Sequence, residues 1–140
     1  MRSSSRITLV AEMETLGAFR AFIERACHAA GITGTTVDDL KLAVDEAAMN
    51  VIMHGYADMD PGSLMLELDI GDGQVEVTLT DFGHPFEPYD PGIPDADTLL
   101  EDRTPGGFGL HFIYQTMDDV SYRTDEDGNH MVLVKKLGAA

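Results

Sequence analysis

Glu46 and Asn50 are residues whose types and spacing could do chemistry. They stand four positions apart in the segment 39–56, and at about 100° per residue a continuous helix places both on one face, together with Asp39. The carboxylate could polarise a hydroxyl or a water, and the amide oxygen could be one of the few protein ligands that Mg²⁺ takes. An exposed Glu and Asn on a helix surface is the alternative.

Apolar residues border this polar strip on both sides of the predicted helix. One border contains Ala47, Leu40, Val51, Val44 and Ala48, and the other contains Leu42, Met49 and Met53. A solvated helix face would be broad and rich in Lys and Glu, so we expect the strip to line a wet cleft. Our hypothesis is that this cleft holds a nucleotide and its metal.

A second cluster, Asp81-Phe82-Gly83, ends a predicted strand. An aspartate there can accept a hydrogen bond from an exocyclic amine such as that of adenine, and Gly83 would let a flat ring approach the backbone. A plain turn is the alternative. The protein-kinase motif with the same letters needs an upstream Gly-rich loop, a strand lysine and an HRD loop, and none of these precedes it in the sequence.

A third cluster, PGGFGL at 105–110, comes directly before a helical pattern. Glycines at a helix N-terminus expose backbone N–H groups to an anion, which is how phosphates are commonly held. The pattern is neither a Walker A loop nor a dinucleotide fingerprint. Arg103 is the cation near it and could meet a terminal phosphate. A flexible loop and a surface arginine are the alternatives.

Apolar periodicity predicts the elements that must position these clusters. The predicted elements are a strand at 6–11, a helix at 14–30, a second helix that Thr35 or Thr36 caps and that ends at Gly55, a hairpin around Gly71-Asp72-Gly73, a helix at 108–117 and a hairpin of 120–124 and 131–137. The proline-rich acidic stretch 84–105 is expected to be a functional lid. Antiparallel strands in one layer and helices in the other predict a two-layer α/β sandwich.

Length, charge and cysteine content limit the classes of protein. The 140 residues fit a single domain, 1–140, with a real core. The formal net charge of -16 argues against a nucleic-acid partner. A lone cysteine, Cys27, excludes an intrachain disulfide and favours a reducing compartment. No signal-peptide pattern or membrane-length apolar run occurs, so we expect a cytoplasmic protein with no membrane partner.

In this order the three clusters resemble the N, G1 and G2 boxes of GHKL-type ATPases. EAAMNVIMHGY (46–56), DFGHPFEP (81–88) and GGFGLHFIYQTMDDVSY (106–122) are most similar to the anti-sigma-factor serine kinases of bacterial partner-switching systems. The resemblance covers residues 7–137. It implies a Bergerat-type sandwich with a mainly antiparallel sheet, which binds ATP with Mg²⁺ and phosphorylates a serine on a STAS-domain antagonist. It also implies sequestration of a sigma factor or another transcriptional regulator.

The resemblance further implies roles for individual residues. Carried over by motif, Glu46 is the general base and Asn50 is the metal ligand. Asp81 is the adenine contact, and Gly83 is the residue beneath the adenine ring. The other expected ATP-binding residues are Arg103, Gly106, Gly107, Phe108, Gly109 and Leu110. The chain departs from many relatives at 128–130, where Gly-Asn-His replaces a Gly-Thr pair whose threonine lies near adenine, so that contact stays open.

Arg20 is the candidate partner-binding residue. It stands off the core stripe of the first helix in an acidic chain, and the related kinases dock their partners through this region; a solvated arginine is the alternative. We also expect a homodimer. The leading hypothesis is a protein serine kinase, and the alternative is a module that uses ATP only to shape a docking surface. Glu46 favours the kinase, because binding alone would not need a carboxylate facing the metal.

Overall fold

The computed structural model describes residues 2–84 and 113–137. Its elements in chain order are β1 (Ser3–Val10), α1 (Met13–Ala29), α2 (Thr35–Asn50), a π-helical turn (Val51–Gly55), β2 (Ser63–Gly71), β3 (Gln74–Asp81), a short helical segment (113–116), β4 (Asp119–Asp125) and β5 (Gly128–Lys136). The strands form one sheet in the order β1-β2-β3-β5-β4. Every neighbouring pair of strands is antiparallel.

One face of the sheet forms the core because the apolar residues of successive strands fall in register. Leu66 pairs with Leu79, and Leu79 pairs with Met131 on the next strand. All three side chains are buried. Successive residues of a strand point to opposite faces, so this alternation directs a continuous apolar surface toward α1 and α2. The two-layer sandwich predicted from the sequence is confirmed.

The β2–β3 hairpin is closed by a two-residue turn of the predicted kind. Asp72 and Gly73 both have positive φ, at 54° and 75°. Two consecutive positive φ angles define the type I′ turn, whose twist matches that of the flanking strands. The turn therefore fixes the register of β2 against β3, and with it the position at which β3 ends in Asp81.

The two long helices pack together over the core face. Phe19, Ile23 and Cys27 form the buried stripe of α1. Two ion pairs cross between the helices: Arg20 to Asp45 at 2.9 Å, and Lys41 to Glu24 at 3.0 Å. Each pair is partly exposed, so the apolar contact, more than the ion pairs, stabilises the helix packing.

Three boundaries differ from the predicted ones for physical reasons. β1 begins at Ser3, because pairing with β2 continues through three serines that carry no apolar signal. α2 begins at Thr35, and its N-cap is Gly34 with a φ of 77° and no side-chain capping bond, so the prediction that Thr35 or Thr36 caps the helix is wrong. β5 begins at Gly128, because its polar residues continue the ladder beside β3.

Among the described residues, no helix combines the length and the apolar character that crossing a membrane requires.

Candidate functional site

Asn50 is the last residue of α2, and its side chain is buried. Its Nδ2 has no hydrogen-bond partner among the described residues. A buried donor without a partner costs about 1–3 kcal/mol of folding free energy. Such a donor at a helix end indicates a position where a ligand could supply the missing acceptor. The π-helical turn follows immediately, and such turns are frequent at functional sites.

Glu46 lies one helical turn before Asn50 and is partly exposed. Burial raises the pKa of the Glu46 carboxyl, and the neighbouring charge of Asp45 acts in the same direction. Asp45 is itself held by Arg20, whose Nη1 lies 3.0 and 2.9 Å from its two carboxylate oxygens. A carboxylate with a raised pKa accepts a proton more readily than an ordinary glutamate, which is the property a general base needs.

The two apolar borders of the strip do not have the same environment. Leu40 and Val44 belong to the core, whereas Leu42 is 39% exposed and Met53 is 46% exposed. One border is therefore core, whereas the other combines the exposed Leu42 and Met53 with Met49, which is partly buried and packs against the core. The predicted cleft stays a prediction. Asp39, the third member of the strip, forms an ion pair with Lys135 of β5 at 3.1 Å.

Asp81 ends β3 and is 5% exposed. Its Oδ1 accepts two hydrogen bonds, from the backbone N–H of Gly83 and from Nδ2 of Asn129, each at 2.9 Å. Hydrogen bonds to a buried carboxylate are stronger than neutral ones and fix its orientation. The strand end therefore presents an immobilised acceptor rather than a flexible surface acid.

Position 83 has room only for a glycine, because the carbonyl of Gly55, at the end of the π-helical turn, lies directly against it. A Cβ at Gly83 would lie 2.1 Å from the carbonyl oxygen of Gly55, a distance no side chain can occupy. The next residue, His84, donates its backbone N–H to that same oxygen at 2.5 Å. The glycine thus joins the end of the helix that carries Asn50 to the end of the strand that carries Asp81, and this packing accounts for it before any ligand is considered.

Two residues in this region make hydrogen bonds to the site that the sequence did not reveal. The hydroxyl of Tyr56 donates to the carbonyl of Ser63 at 2.7 Å and accepts the N–H of Phe82 at 3.0 Å. Burial raises the pKa of this hydroxyl, and the charge of Asp81 adds to the effect. No spacing in the sequence marks Tyr56, because its partners belong to two other segments.

Asn129 is the second such residue. Its Nδ2 donates to Asp81 Oδ1 and to the Gly83 carbonyl, both at 2.9 Å, and its Oδ1 accepts from the Thr124 hydroxyl at 2.9 Å. The sequence marks Asn129 only as a departure from the Gly-Thr pattern. In the structure it ties β4, β5 and the end of β3 together around the candidate base-binding carboxylate.

Residues 9–135 match the family model described as "Histidine kinase-like ATPase domain". The chain belongs to this family. Serine-protein kinase RsbW of Oceanobacillus iheyensis is 32% identical, over 79% of this chain and 72% of that protein. RsbW of Listeria monocytogenes serotype 4a is 31% identical, over 98% of this chain and 89% of that protein.

A solved structure shows the same fold. The crystal structure of the RsbU and RsbW domains of a Mycobacterium tuberculosis protein matches with a TM-score of 0.71 at 18% identity, over 99% of this chain. This chain spans 33% of that longer chain. At such an identity the match is evidence of fold alone.

The structure of this histidine kinase-like ATPase domain brings four predicted site residues into one region: Glu46, Asn50, Asp81 and Gly83. Gly83 contacts Gly55 at the end of the turn that follows Asn50, and Glu46 precedes Asn50 by one helical turn. The remaining predicted ATP-binding residues lie outside the described residues; they are Arg103, Gly106, Gly107, Phe108, Gly109 and Leu110. All of the predicted lid 84–105 except His84 lies outside them as well.

Arg20 lies on α1 and is paired with Asp45, so a partner group that binds it must compete with that carboxylate.

Within residues 2–84 and 113–137, no group of three His, Cys, Asp or Glu side chains could hold a metal ion. The donor set at Asn50 instead fits a Mg²⁺ that takes one amide oxygen and completes its shell with phosphate oxygens and water.

Proposed function

We propose that this chain is an ATP-dependent protein serine kinase that also sequesters a transcriptional regulator. The observation that carries the proposal is the pairing, one helical turn apart, of a carboxylate with a raised pKa and a buried carboxamide whose Nδ2 has no acceptor among the described residues. Membership of the histidine kinase-like ATPase family and two relatives named serine-protein kinase support it. Residues 1–140 form a single domain in this proposal, with the lid at 84–105.

In the proposed ATP complex, Asp81 accepts a hydrogen bond from the exocyclic amine of adenine. Its burial and its two fixed donors make it a rigid acceptor. Asn50 supplies its amide oxygen to the metal and its N–H to a phosphate oxygen. Arg103 and the loop residues Gly106, Gly107, Phe108, Gly109 and Leu110 bind the triphosphate. When bound, Mg²⁺ supplies neutralisation of the charge that develops on the phosphates.

Glu46 takes the proton of the substrate serine in this proposal. The α2 helix directs its carboxylate to the same side as Asn50, because residues four apart lie on one helix face. The raised pKa strengthens the carboxylate as a base. A general base contributes about 10²–10⁴-fold in rate, which is the size of the effect expected when Glu46 is removed.

The substrate and partners follow from the same proposal. The phosphorylated serine belongs to a STAS-domain antagonist, and the sequestered regulator is a sigma factor or a similar protein. The kinase acts in the cytoplasm as a homodimer. Arg20 lies on the partner-binding surface, where a partner's acidic group would displace Asp45 from its guanidinium.

Two variants at the centre of the site should fail in different ways. Glu46→Gln keeps shape and hydrogen-bonding capacity, so ATP binding should survive while phosphotransfer falls by about 10²–10⁴-fold. Asn50→Ala should lose Mg²⁺-dependent nucleotide binding and phosphotransfer together. Glu67→Gln is the matched control, because Glu67 is partly exposed on β2 and points away from the core face. The measurements are single-turnover phosphorylation of the cognate antagonist and ATP titration with and without Mg²⁺.

Wild-type phosphotransfer by Glu46→Gln would remove Glu46 as the base. The alternative function, a module in which ATP only shapes a docking surface, makes the opposite prediction for the unmodified protein. In that case the wild type would bind its partner in an ATP-dependent manner and would transfer no phosphate to it.

A further inference from the structure

Two adjacent residues of β5 each bridge β3 to β4 at the end of the sheet where Asp81 lies. Asn129 connects Asp81 to Thr124. His130 connects Thr80 to Asp125, with ring-nitrogen distances of 2.9 and 3.0 Å. Because successive strand residues point to opposite faces, Asn129 works on the core face and His130 on the other. Only the first of these bridges reaches Asp81.

The side-chain NH₂ of Asn129 donates only to acceptors within the protein. A carboxamide NH₂ has two protons, and the two acceptors within reach, Asp81 Oδ1 and the Gly83 carbonyl, use both. These two acceptors also settle the orientation of the amide, because its oxygen must then face the Thr124 hydroxyl. Asn129 therefore has no proton left to donate to a ligand.

The same bonds divide the two oxygens of Asp81. The described donors to this carboxylate, from Gly83 and Asn129, both go to Oδ1. Oδ2 receives no hydrogen bond from a described residue. A carboxylate whose first oxygen already accepts two hydrogen bonds and whose second is free can accept further hydrogen bonds at the second oxygen and can donate none.

We propose that Asn129 is a positioning residue for nucleobase selection. It fixes the orientation of Asp81 so that only Oδ2 faces the nucleobase, and the site therefore binds purines with an exocyclic amine at position 6. This inference rests on the proposed binding of ATP. A base that carries a carbonyl at the same position places an acceptor against a carboxylate oxygen, and the unpaired oxygen makes binding unfavourable. Asn129 acts through Asp81 and does not touch the base.

ATP and ITP test the idea, since adenine presents a 6-amine beside an unprotonated N1, whereas hypoxanthine presents a 6-carbonyl beside a protonated N1. The measurement is equilibrium binding of each nucleotide to the wild type, to Asn129→Leu and to Thr80→Val. Leucine keeps the approximate shape of asparagine and removes its hydrogen bonds. The ratio of ATP to ITP affinity should fall by about 10-fold or more in Asn129→Leu and stay within about twofold of the wild type in Thr80→Val.

Thr80→Val is the matched control because it removes the buried bridge on the other face of the same strands and leaves Asp81 untouched. An equal fall of the ratio in both variants would mean that loosening of the strands changes selectivity, and would overturn the proposal. Should Asn129→Leu not fold, Asn129→Ala replaces it, since a methyl group has no proton to donate to either acceptor; an unchanged ratio in that variant also overturns the proposal.

A second readout needs no nucleotide. The chain has four carboxamide side chains, those of Asn50, Gln74, Gln115 and Asn129, so their NH₂ signals can be assigned by substitution. The Asn129 protons should exchange with solvent far more slowly than those of the exposed Gln115. Equal exchange would show that the lock on Asp81 is absent.

Failure of this inference differs from failure of the proposed function. A wild type that binds neither ATP nor ITP overturns both. A wild type that prefers ATP, together with an Asn129→Leu variant that keeps the preference, overturns the role of Asn129 alone.

Discussion

Replacing Asp81 with asparagine should do more than weaken ATP binding, because the surroundings of the side chain determine how the new amide turns. The Gly83 N–H and the Asn129 NH₂ both point at the Oδ1 position. The new carboxamide must place its oxygen there, since the reverse orientation would set donors against donors. Its NH₂ then occupies the Oδ2 position and faces the base.

The size of the effect follows from burial. Asp81 is 5% exposed, so water cannot replace a lost hydrogen bond. A hydrogen bond to a charged group contributes about 1.5–3 kcal/mol, so ATP affinity should fall by about 10- to 100-fold. ITP offers a carbonyl to the new NH₂, so its affinity should rise or stay constant, and the preference between the two nucleotides should reverse.

Calorimetric titration of ATP and ITP into the wild type and Asp81→Asn measures both effects. Asp119→Asn, at the exposed start of β4, controls for the change in net charge. Unchanged ATP affinity would place the base elsewhere. An equal loss for both nucleotides would show that the mutation disrupts the site as a whole and that the amide orientation argued above is wrong.

Three further predictions concern the frame around the site. Gly83→Ala must displace the Gly55 carbonyl, so it should destabilise the fold by about 1–3 kcal/mol or more and weaken ATP binding; an unchanged denaturation midpoint in urea would contradict the packing argument. Folding raises the pKa of Glu46 above its ordinary value of 4.5, so ionisation of this carboxyl opposes folding. Its favourable contribution to stability is complete below pH 4.5 and is lost as the pH rises through the folded-state pKa. Glu46→Gln should therefore be more thermostable than the wild type at pH 7 and equally stable near pH 4, and a gain that is independent of pH would refute this origin. Arg20→Glu breaks a partly exposed pair with Asp45 and should change stability by less than about 1 kcal/mol while weakening partner capture; intact capture in a pull-down would move the docking surface away from α1.

The regular parts of the fold could be predicted because their information is local. The alternation of Leu64, Leu66 and Leu68 specifies a half-buried strand, and the pair Asp72-Gly73 specifies a tight turn. Ser3 to Ser5 form strand only because β2 lies beside them. Periodicity predicted both borders of the polar strip on α2, but it could not distinguish a core border from the exposed side chains of Leu42 and Met53.

The site could be predicted only residue by residue. Glu46 and Asn50 share a helix face, which spacing reveals. Asn129 meets Asp81 across 48 positions of sequence, and Arg20 meets Asp45 across 25. Such contacts depend on how strands and helices are placed in space, so the sequence indicated Asn129 only as an unusual residue and left Arg20 without its partner.

The π-helical turn Val51–Gly55 makes chain length as important as residue identity between the helix and the strand end. Its Tyr56 N–H bonds to the Val51 carbonyl across five residues at 3.2 Å, one residue more than an α-helical bond spans. A single deletion at Met53 or His54, both exposed, would restore the α-helical spacing. It would turn the Gly55 carbonyl by about 100°, away from Gly83 and His84. These two surface positions should therefore accept many substitutions but no deletion.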